Sequence, residues 1–529
     1  MPEPASLRPL DLIVIFIYAA AMVWMGLYFS RRNKSTSDYF LGGRRLPAWV
    51  IGLSMLGTSI SSVTFLAFPA AAFALDWRQV VPNLMLPFVA VFAIWFFIPF
   101  FRRGNLTSAF EYLEDRFGPL VRLYGAISFI ILQLVRVGTV LYLMSIPTGL
   151  LLGVPIEWVI IIGGIVVAVY TVVGGMAAVM WTDAVQTFIF LGGGVICLFI
   201  VAFGLPNGFA DIFTIGMEHG KFGLGPMHWN LSERTFPTMT ILGITWWLGG
   251  YAGDQNMIQR YASASSLKEA RRATAISSIM SVPTWVFFFF LGTSIYVYFT
   301  VNPDPHVGAL EADQVFPYFI ISRIPAGLSG LVIAAILSAG MSTLTSNLNA
   351  IATVSVVDLT KRYLTPGRDD KYYLIQAKVF TSISSVLMII GAFIFSNMPK
   401  ESMVDLSIII GALFGGCLLG IFMLGFLTTR VNYTATLIAL VAAIIFNVYL
   451  LLNSFGRLPE FMSLNVHDYW VSVLVNLLFV FIAMAISYCS PREHRDLHRL
   501  TVWTSTFHED AVEPATSTTV LPNVSPEEG

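Results

Sequence analysis

At 529 residues, 56% hydrophobic and only 12% charged, with a mean hydropathy of +0.75, the chain is too apolar for a soluble globular protein. A formal net charge of −1 gives no case for nucleic-acid binding. Cys197, Cys417 and Cys489 lie in apolar runs without metal-ligand spacing, and all seven histidines fall in loops or the tail, so a disulfide framework, a zinc site and an intramembrane imidazole relay are not expected.

Thirteen apolar segments follow one another: roughly 10–29, 47–75, 80–101, 123–152, 156–175, 179–204, 237–253, 273–300, 327–357, 379–396, 403–427, 431–452 and 469–489. Each is near the roughly 20 residues that cross about 30 Å of hydrocarbon. The expected fold is an all-α integral membrane protein of about thirteen transmembrane helices, one polytopic domain over 1–499 embedded in the lipid bilayer. The first run has no clear small-residue cleavage site before Arg31 and reads as a retained span. With the N-terminus outside, inner loops and tail hold 22 of the 30 lysines and arginines and outer loops hold seven, which satisfies the positive-inside rule and places the C-terminus in the cytoplasm. The tail, 500–529, rich in Ser, Thr, Pro and Glu, is expected to be disordered.

The second span reads GLSMLGTSISSVTFLAFP from Gly52 to Pro69 and holds five hydroxyls (Thr58, Ser59, Ser61, Ser62 and Thr64) between Gly57 and Pro69. A lipid-facing helix has no use for these. A helix broken in mid-membrane does, because unwound carbonyls coordinate a cation and free N–H groups meet an anionic substrate. A polar face in a crowded bundle is the other explanation. Gln79 and Asn83, at i and i+4 where the third span leaves the outer face, suit either ligand contact or interfacial capping. Arg136, far from both ends of its span, must face a cavity or a partner, since an unpaired guanidinium there costs roughly 2.5–3.5 kcal/mol on insertion scales. Its planar fork suits a carboxylate, of the protein or of a substrate.

Asp183 follows Gly174-Gly175 and Trp181-Thr182 near the start of the sixth span, where it reads as a helix cap or as the charged ligand of a cation. The outer loops 205–236 and 301–325 are long enough for short lid helices. The seventh span, Pro237 to Gly253, is short and interrupted by Gly243, Gly249 and Gly250. It stands five spans after the second, and two interrupted helices at corresponding positions point to inverted repeats, roughly 47–204 and 237–427. In the ninth span Ala339, Ser342, Thr343 and Ser346 share one helical face. Such a stripe of neutral oxygens suits Na⁺, and equally suits close helix packing. The pairs Gly411/Gly415 and Gly416/Gly420 fit packing better than function. No Walker, Gly-x-Ser-x-Gly or His-Glu-x-x-His motif is present, so enzymatic chemistry is not expected.

Three motifs in order, Gly174-Gly175-Met176-x-Ala178-Val179-x-Trp181-Thr182-Asp183-x-x-Gln186, then Asp254-Gln255-x-x-x-Gln259-Arg260, then Ser338-Ala339-x-Met341-Ser342-Thr343-x-x-Ser346-x-Leu348-Asn349, resemble the sodium:solute symporter family over most of the chain. The resemblance implies a leucine-transporter-type 5+5 inverted repeat with extra flanking helices, in the plasma (cell inner) membrane, with Na⁺ as coupling ion. It implies one sodium site on backbone oxygens of Gly57, Ile60 and Ala339 and hydroxyls of Ser342 and Thr343. A second, present in some members, would fall on Asp183, Ser342, Thr345 and Ser346. The bacterial sodium/sialic acid symporter branch implies a substrate carboxylate held by Arg136, Ser59, Ser61 and Thr64, with Gln79 and Asn83 above. The hexose branch fits less well, having Gln where Thr64 stands. The expected activity is therefore symport of a small anionic solute, sialic acid first, with two Na⁺. A Na⁺-coupled sugar or monocarboxylate symporter and a proton-coupled carrier using Asp183 are the alternatives.

Overall fold

The computed structural model describes residues 9–31, 33–103, 106–398, 415–467, 470–490, 497–498 and 500–504. Among them the regular structure is helical, with one isolated parallel bridge between Leu46 and Ala264. Helix α1 spans Pro9–Ser30 and the short α2 spans Thr36–Leu41, started by a capping box between Ser35 and Asp38. The second apolar run forms two helices, α3 (Ala48–Ser59) and α4 (Ser62–Ala74). Then come α5 (Arg78–Arg102), α6 (Ala109–Phe117), α7 (Pro119–Leu152) and α8 (Ile156–Phe203). The two long loops carry short helices as expected, α9 (Phe209–Glu218) in the first and α13 (Ala312–Arg323) in the second. Between them run α10 (Phe236–Gly253), α11 (Gln255–Ser263) and α12 (Leu267–Val301). After α13 come α14 (Leu328–Leu364), α15 (Asp370–Ser396), α16 (Leu418–Leu427), α17 (Tyr433–Ser454) and α18 (Trp470–Cys489).

Among the described residues nine helices are long and apolar enough to cross a membrane, and ten when the bent second span is counted. The expected thirteen differ from this for physical reasons. The fifth and sixth runs are one 48-residue helix, α8, broken at Gly175, whose φ of 60° and ψ of −165° are not helical. At about 1.5 Å per residue a straight helix of that length would be more than twice as long as the hydrocarbon is thick. A Cβ at Gly175 would lie 2.9 Å from the Tyr39 ring and 3.0 Å from the Tyr39 carbonyl oxygen, so the turn needs glycine twice over. Of the run at 403–427, only the part from 415 is described, and Gly411 lies outside it. Gly420 packs closely, as its spacing suggests: a Cβ there would meet the Phe479 ring at 2.9 Å.

The seventh run differs in detail from expectation. Its helix continues through Gly243, Gly249 and Gly250 and breaks one residue after Gly253, at Asp254, whose extended backbone ends α10 and whose side chain caps α11. Gly243 instead serves contact, since a Cβ there would sit 2.4 Å from the Pro82 carbonyl oxygen.

At the centre stands α14. Every residue from Ser329 to Val354 except Leu331 is buried, although the stretch holds Ser, Thr and Asn in quantity. It packs against α1, α3, α4, α7, α8, α11 and α15, and its last ten residues, Ser355–Leu364, wind as a π-helix. Asp11 of α1 closes the first turn of α14, accepting from the N–H groups of Gly327 (2.6 Å) and Gly330 (2.8 Å) and from the Ser329 hydroxyl (2.9 Å). A carboxylate there satisfies orphan donors and opposes the positive end of the helix dipole. Helix α1 is thus built into the body of the protein.

Candidate cation and substrate site

The break in the second span frees the oxygens on which the site is built. Ser59 is the last residue of α3, and Ile60 takes φ −92° and ψ 137°, so α3 and α4 meet at 52°. The carbonyls of Gly57 and Ile60 then point at α14. The Ser342 hydroxyl donates to the Gly57 oxygen at 3.0 Å and the Thr343 hydroxyl to the Ile60 oxygen at 3.1 Å. Both hydroxyls also lie 3.3 Å from the Ala339 carbonyl oxygen one turn back. Five oxygens from two helices therefore converge, and all five residues are buried. A hydroxyl oxygen keeps lone pairs while donating, so rotation of two O–H bonds turns this cluster into a set of neutral hard donors, the kind that suits Na⁺. Gly57 leaves room for Asp183 and Thr187 on its other side, a Cβ there lying 3.2 Å from the Thr187 hydroxyl oxygen.

Asp183 is not a cap. It lies within the part of α8 that follows the Gly175 break, fully buried. Its Oδ2 accepts from Ser54 at 2.6 Å, from the Arg260 guanidinium at 3.0 Å and from Ser346 at 3.3 Å, while Oδ1 has no partner among the described residues. Ser342 and Thr345 do not join Asp183: Ser342 turns to the first cluster, and Thr345 donates to the Ser342 carbonyl at 3.1 Å. The four residues expected to form a second site share one region without forming one shell.

Arg260 is the residue that the charge count misplaced. Counted with the inner-loop cations, it is instead wholly enclosed, its side chain showing 0% exposure. From α11 its guanidinium reaches Ser54 (3.0 Å), the Asn256 carbonyl (2.9 Å), Asp183 and Ser346 (2.6 Å). Thr58 completes the network 3.1 Å from the Ser346 hydroxyl. A buried carboxylate and guanidinium at this distance neutralise each other and link α3, α8, α11 and α14 at one point. Its place in the Gln259-Arg260 motif beside the Asp254 break was the available signal. Gln259, next to it, donates to the Phe40 carbonyl (2.6 Å) and to Asn349 (2.7 Å), so the motif as a whole faces inward.

The expected substrate residues are more dispersed. Thr64 is buried, and Ser59 and Ser61 are half-buried, at the break. Ser59 returns its hydroxyl to the Met55 carbonyl at 3.0 Å, and Thr64 lies 3.5 Å from the Ser61 N–H, capping the start of α4. Arg136, midway along α7, is exposed and has no hydrogen bond or ion pair among the described residues. Gln79 and Asn83 stand half-buried in the first turns of α5, also without side-chain hydrogen bonds among those residues. Trp247 fixes α5 to α10 by donating to the Pro82 carbonyl at 3.2 Å. A Cβ at Gly250, one turn on, would meet nothing described within 4 Å, so α10 borders open space there.

A model of the sodium:solute symporter family matches residues 39–444, well over half of the chain. The chain belongs to this family. Like other sodium:solute symporters it is a multi-pass membrane protein that couples solute movement to Na⁺. It is 30% identical over 444 residues to the sodium/sialic acid symporter NanT of Aliivibrio fischeri, covering 84% of this chain and 88% of that one. It is 30% identical over 433 residues to the sodium/sialic acid symporter SiaT of Proteus mirabilis, covering 82% and 87%. Among solved structures, a Na⁺-coupled sialic acid symporter in a substrate-bound outward-open state superposes with a TM-score of 0.84 at 28% identity, over 92% of this symporter and 99% of that chain. Mhp1, a nucleobase-cation-symport-1 family transporter in a closed conformation, shares the fold with a TM-score of 0.51 at 14% identity.

Proposed function

We propose that this symporter imports a small carboxylated solute, sialic acid first, with two Na⁺, by alternating access in the plasma (cell inner) membrane. The observation that carries the proposal is the five-oxygen cluster of Gly57, Ile60, Ala339, Ser342 and Thr343, because it joins the broken second span to α14 by groups whose chemistry suits one Na⁺. An ion held there favours the arrangement in which α3 and α14 are together. The substrate carboxylate then meets Arg136, with the hydroxyls of Ser59, Ser61 and Thr64 at the free end of α4 and the amides of Gln79 and Asn83 above. The outer side closes, and the sodium leaves toward the cytoplasm. Coupling requires only that ion and solute each bind more tightly in the presence of the other.

The second Na⁺ is proposed at Asp183 and Ser346, with the Ser342 and Thr345 hydroxyls turning to the ion from the carbonyls they bond in its absence. The unpartnered Oδ1 of Asp183 supports this, since a buried carboxylate oxygen without a donor needs a cation or water. Energetics favour two. At about 100 mV one charge is worth roughly 2.3 kcal/mol and a tenfold Na⁺ gradient about 1.4 kcal/mol. One Na⁺ with a monoanion moves no net charge and supports about tenfold accumulation, whereas two supply about 5 kcal/mol, or several thousandfold. The repeats at roughly 47–204 and 237–427, in a leucine-transporter-type 5+5 arrangement, supply the rocking motion, with the N-terminus outside and the C-terminus in the cytoplasm. The broken helices at Ile60 and Asp254 support this arrangement.

A panel of sialic acid, hexoses and monocarboxylates in a thermal-shift assay, each with and without Na⁺, tests the substrate. Stabilisation by sialic acid that needs Na⁺ is the expected result. Stabilisation by a neutral hexose alone would overturn the carboxylate reading and select the sugar alternative.

A further inference from the structure

Beside Asp183 lies a group of buried polar side chains that the five-oxygen cluster does not use. Gln186 follows Asp183 by three residues, on the same face of α8. Tyr170 belongs to the part of α8 that precedes the Gly175 break. Along a straight helix it would stand about 24 Å from Gln186, yet the break sets its hydroxyl beside Gln186 and beside Thr345 of α14. Helix α1 closes the group. The Tyr18 hydroxyl donates to the Met341 sulfur at 3.4 Å, so its oxygen is free to accept the Gln186 amide N–H at 3.0 Å. This turns the Gln186 amide with its nitrogen toward α1. Gly26 of α1 backs Tyr170, since a Cβ there would lie 2.5 Å from the Tyr170 Cβ.

Three oxygens in this group are unsatisfied. Asp183 Oδ1, Gln186 Oε1 and the Tyr170 hydroxyl have no hydrogen-bond partner among the described residues, although all three residues are at most 1% exposed. Enclosed polar atoms normally pair, and one that does not calls for water or an ion. Here three acceptors have a single O–H among them, so they cannot satisfy one another. A cation meets all three at once. A carboxylate, an amide oxygen and a hydroxyl are hard donors, and no soft ligand stands among them to select a transition metal.

We propose that Gln186 and Tyr170 are ligands of the second Na⁺, their amide and hydroxyl oxygens completing from the α1 side the shell that Asp183 Oδ1 and Thr345 begin. This rests on the second Na⁺ at Asp183 proposed above and adds two residues to it. It also gives α1 a part in ion binding, since Tyr18 orients the Gln186 amide and Gly26 leaves room for Tyr170.

The test is equilibrium binding of radioactive sodium to the full chain in detergent, without solute, together with Tm in Na⁺-free potassium buffer. The parent protein should bind two Na⁺. Tyr170→Phe should raise the half-saturation of one of them at least about fivefold, as expected for loss of a contact to a charge. It should leave the other, the one that Thr343→Val weakens, within about twofold. In Na⁺-free buffer the same variant should keep or raise Tm, because it deletes a buried hydroxyl that bonds nothing. Gln186→Met, which removes the amide oxygen at similar length, should weaken the same ion as Tyr170→Phe. A parent protein that binds one Na⁺ overturns the two-sodium reading and this inference with it. Suppose instead that the parent binds two and that Asp183→Asn with Arg260→Met binds one. Parent-like affinities in Tyr170→Phe and Gln186→Met then overturn this inference alone and make the occupant a buried water. A lower Tm of Tyr170→Phe in Na⁺-free buffer, with Na⁺ affinity unchanged, would likewise overturn it by showing a structural role for the hydroxyl.

Discussion

Replacing Thr343 by valine removes one hydroxyl from the five-oxygen cluster while nearly keeping the shape of the side chain. That hydroxyl lies 3.1 Å from the Ile60 carbonyl and 3.3 Å from that of Ala339, and Ile60 is only 2% exposed. The variant therefore loses a cation ligand and leaves the Ile60 oxygen buried without this donor. The lost ligand is a contact to a charge, worth about 1.5–3 kcal/mol in the ion-bound state, of which the unpaired Ile60 oxygen in the ion-free state gives a part back. A net loss of about 1–2 kcal/mol is a Na⁺ half-saturation between about fivefold and about thirtyfold higher. The assay is initial uptake into proteoliposomes as a function of external Na⁺, at fixed membrane potential and saturating solute. Ser338→Ala serves as the control. It removes an equally buried hydroxyl on the same helix, bonded within its own turn to the Ala334 carbonyl at 2.8 Å, and should shift half-saturation by less than about twofold. If Thr343→Val and Ser338→Ala give the same Na⁺ dependence, the cluster is a packing device and the site lies elsewhere.

Arg136→Ala should abolish Na⁺-dependent stabilisation by a carboxylated ligand while Na⁺ alone still shifts Tm; unchanged ligand affinity would make the arginine structural. Arg260→Met leaves Asp183 as a lone buried charge and should destabilise the fold by about 3–5 kcal/mol, part of which returns in Arg260→Met with Asp183→Asn. Equal stability of Arg260→Met and the parent protein in denaturant would contradict this pairing. Glu114, which burial pushes up but Arg362 and Arg122 pull down more strongly, has a pKa below its ordinary value. Its contribution to stability is thus present above the ordinary glutamate pKa and is lost as pH falls through the lower, folded value. The Tm advantage of the parent protein over Glu114→Gln should shrink between about pH 6 and about pH 3, and an offset independent of pH would refute it.

Much of this architecture is legible in the sequence, and particular residues show why. Hydroxyls crowded between Gly57 and Pro69 are incompatible with a lipid-facing helix, and the chain does unwind at Ile60. Ala339, Ser342 and Thr343 share a face by helical spacing, and in the folded chain the Ser342 and Thr343 hydroxyls meet two carbonyls of the broken span, those of Gly57 and Ile60. Other features depend on tertiary structure that local pattern does not encode. Arg260 sits just beyond an apolar run, where hydropathy places an interfacial cation, yet α11 folds back into the bundle and encloses it. For the same reason Asp183 resembles a cap, because the sequence does not reveal that a guanidinium some 77 positions away will face it. Glycines mislead in a related way. Gly249 and Gly250 mark a weak point in α10 by composition, but the chain breaks at Asp254, where a side-chain cap can start the next helix. Counting spans fails where one glycine, Gly175, separates two of them with no intervening polar loop.

The most direct measurement is solute accumulation by the reconstituted chain under an inward gradient of Na⁺ compared with an equal gradient of K⁺, at matched ionic strength and membrane potential. A cluster of Gly57, Ile60, Ala339, Ser342 and Thr343 oxygens that holds Na⁺ requires accumulation against a gradient in Na⁺ and only equilibration in K⁺. Equal accumulation in the two salts would show that those oxygens do not couple the ion to the solute.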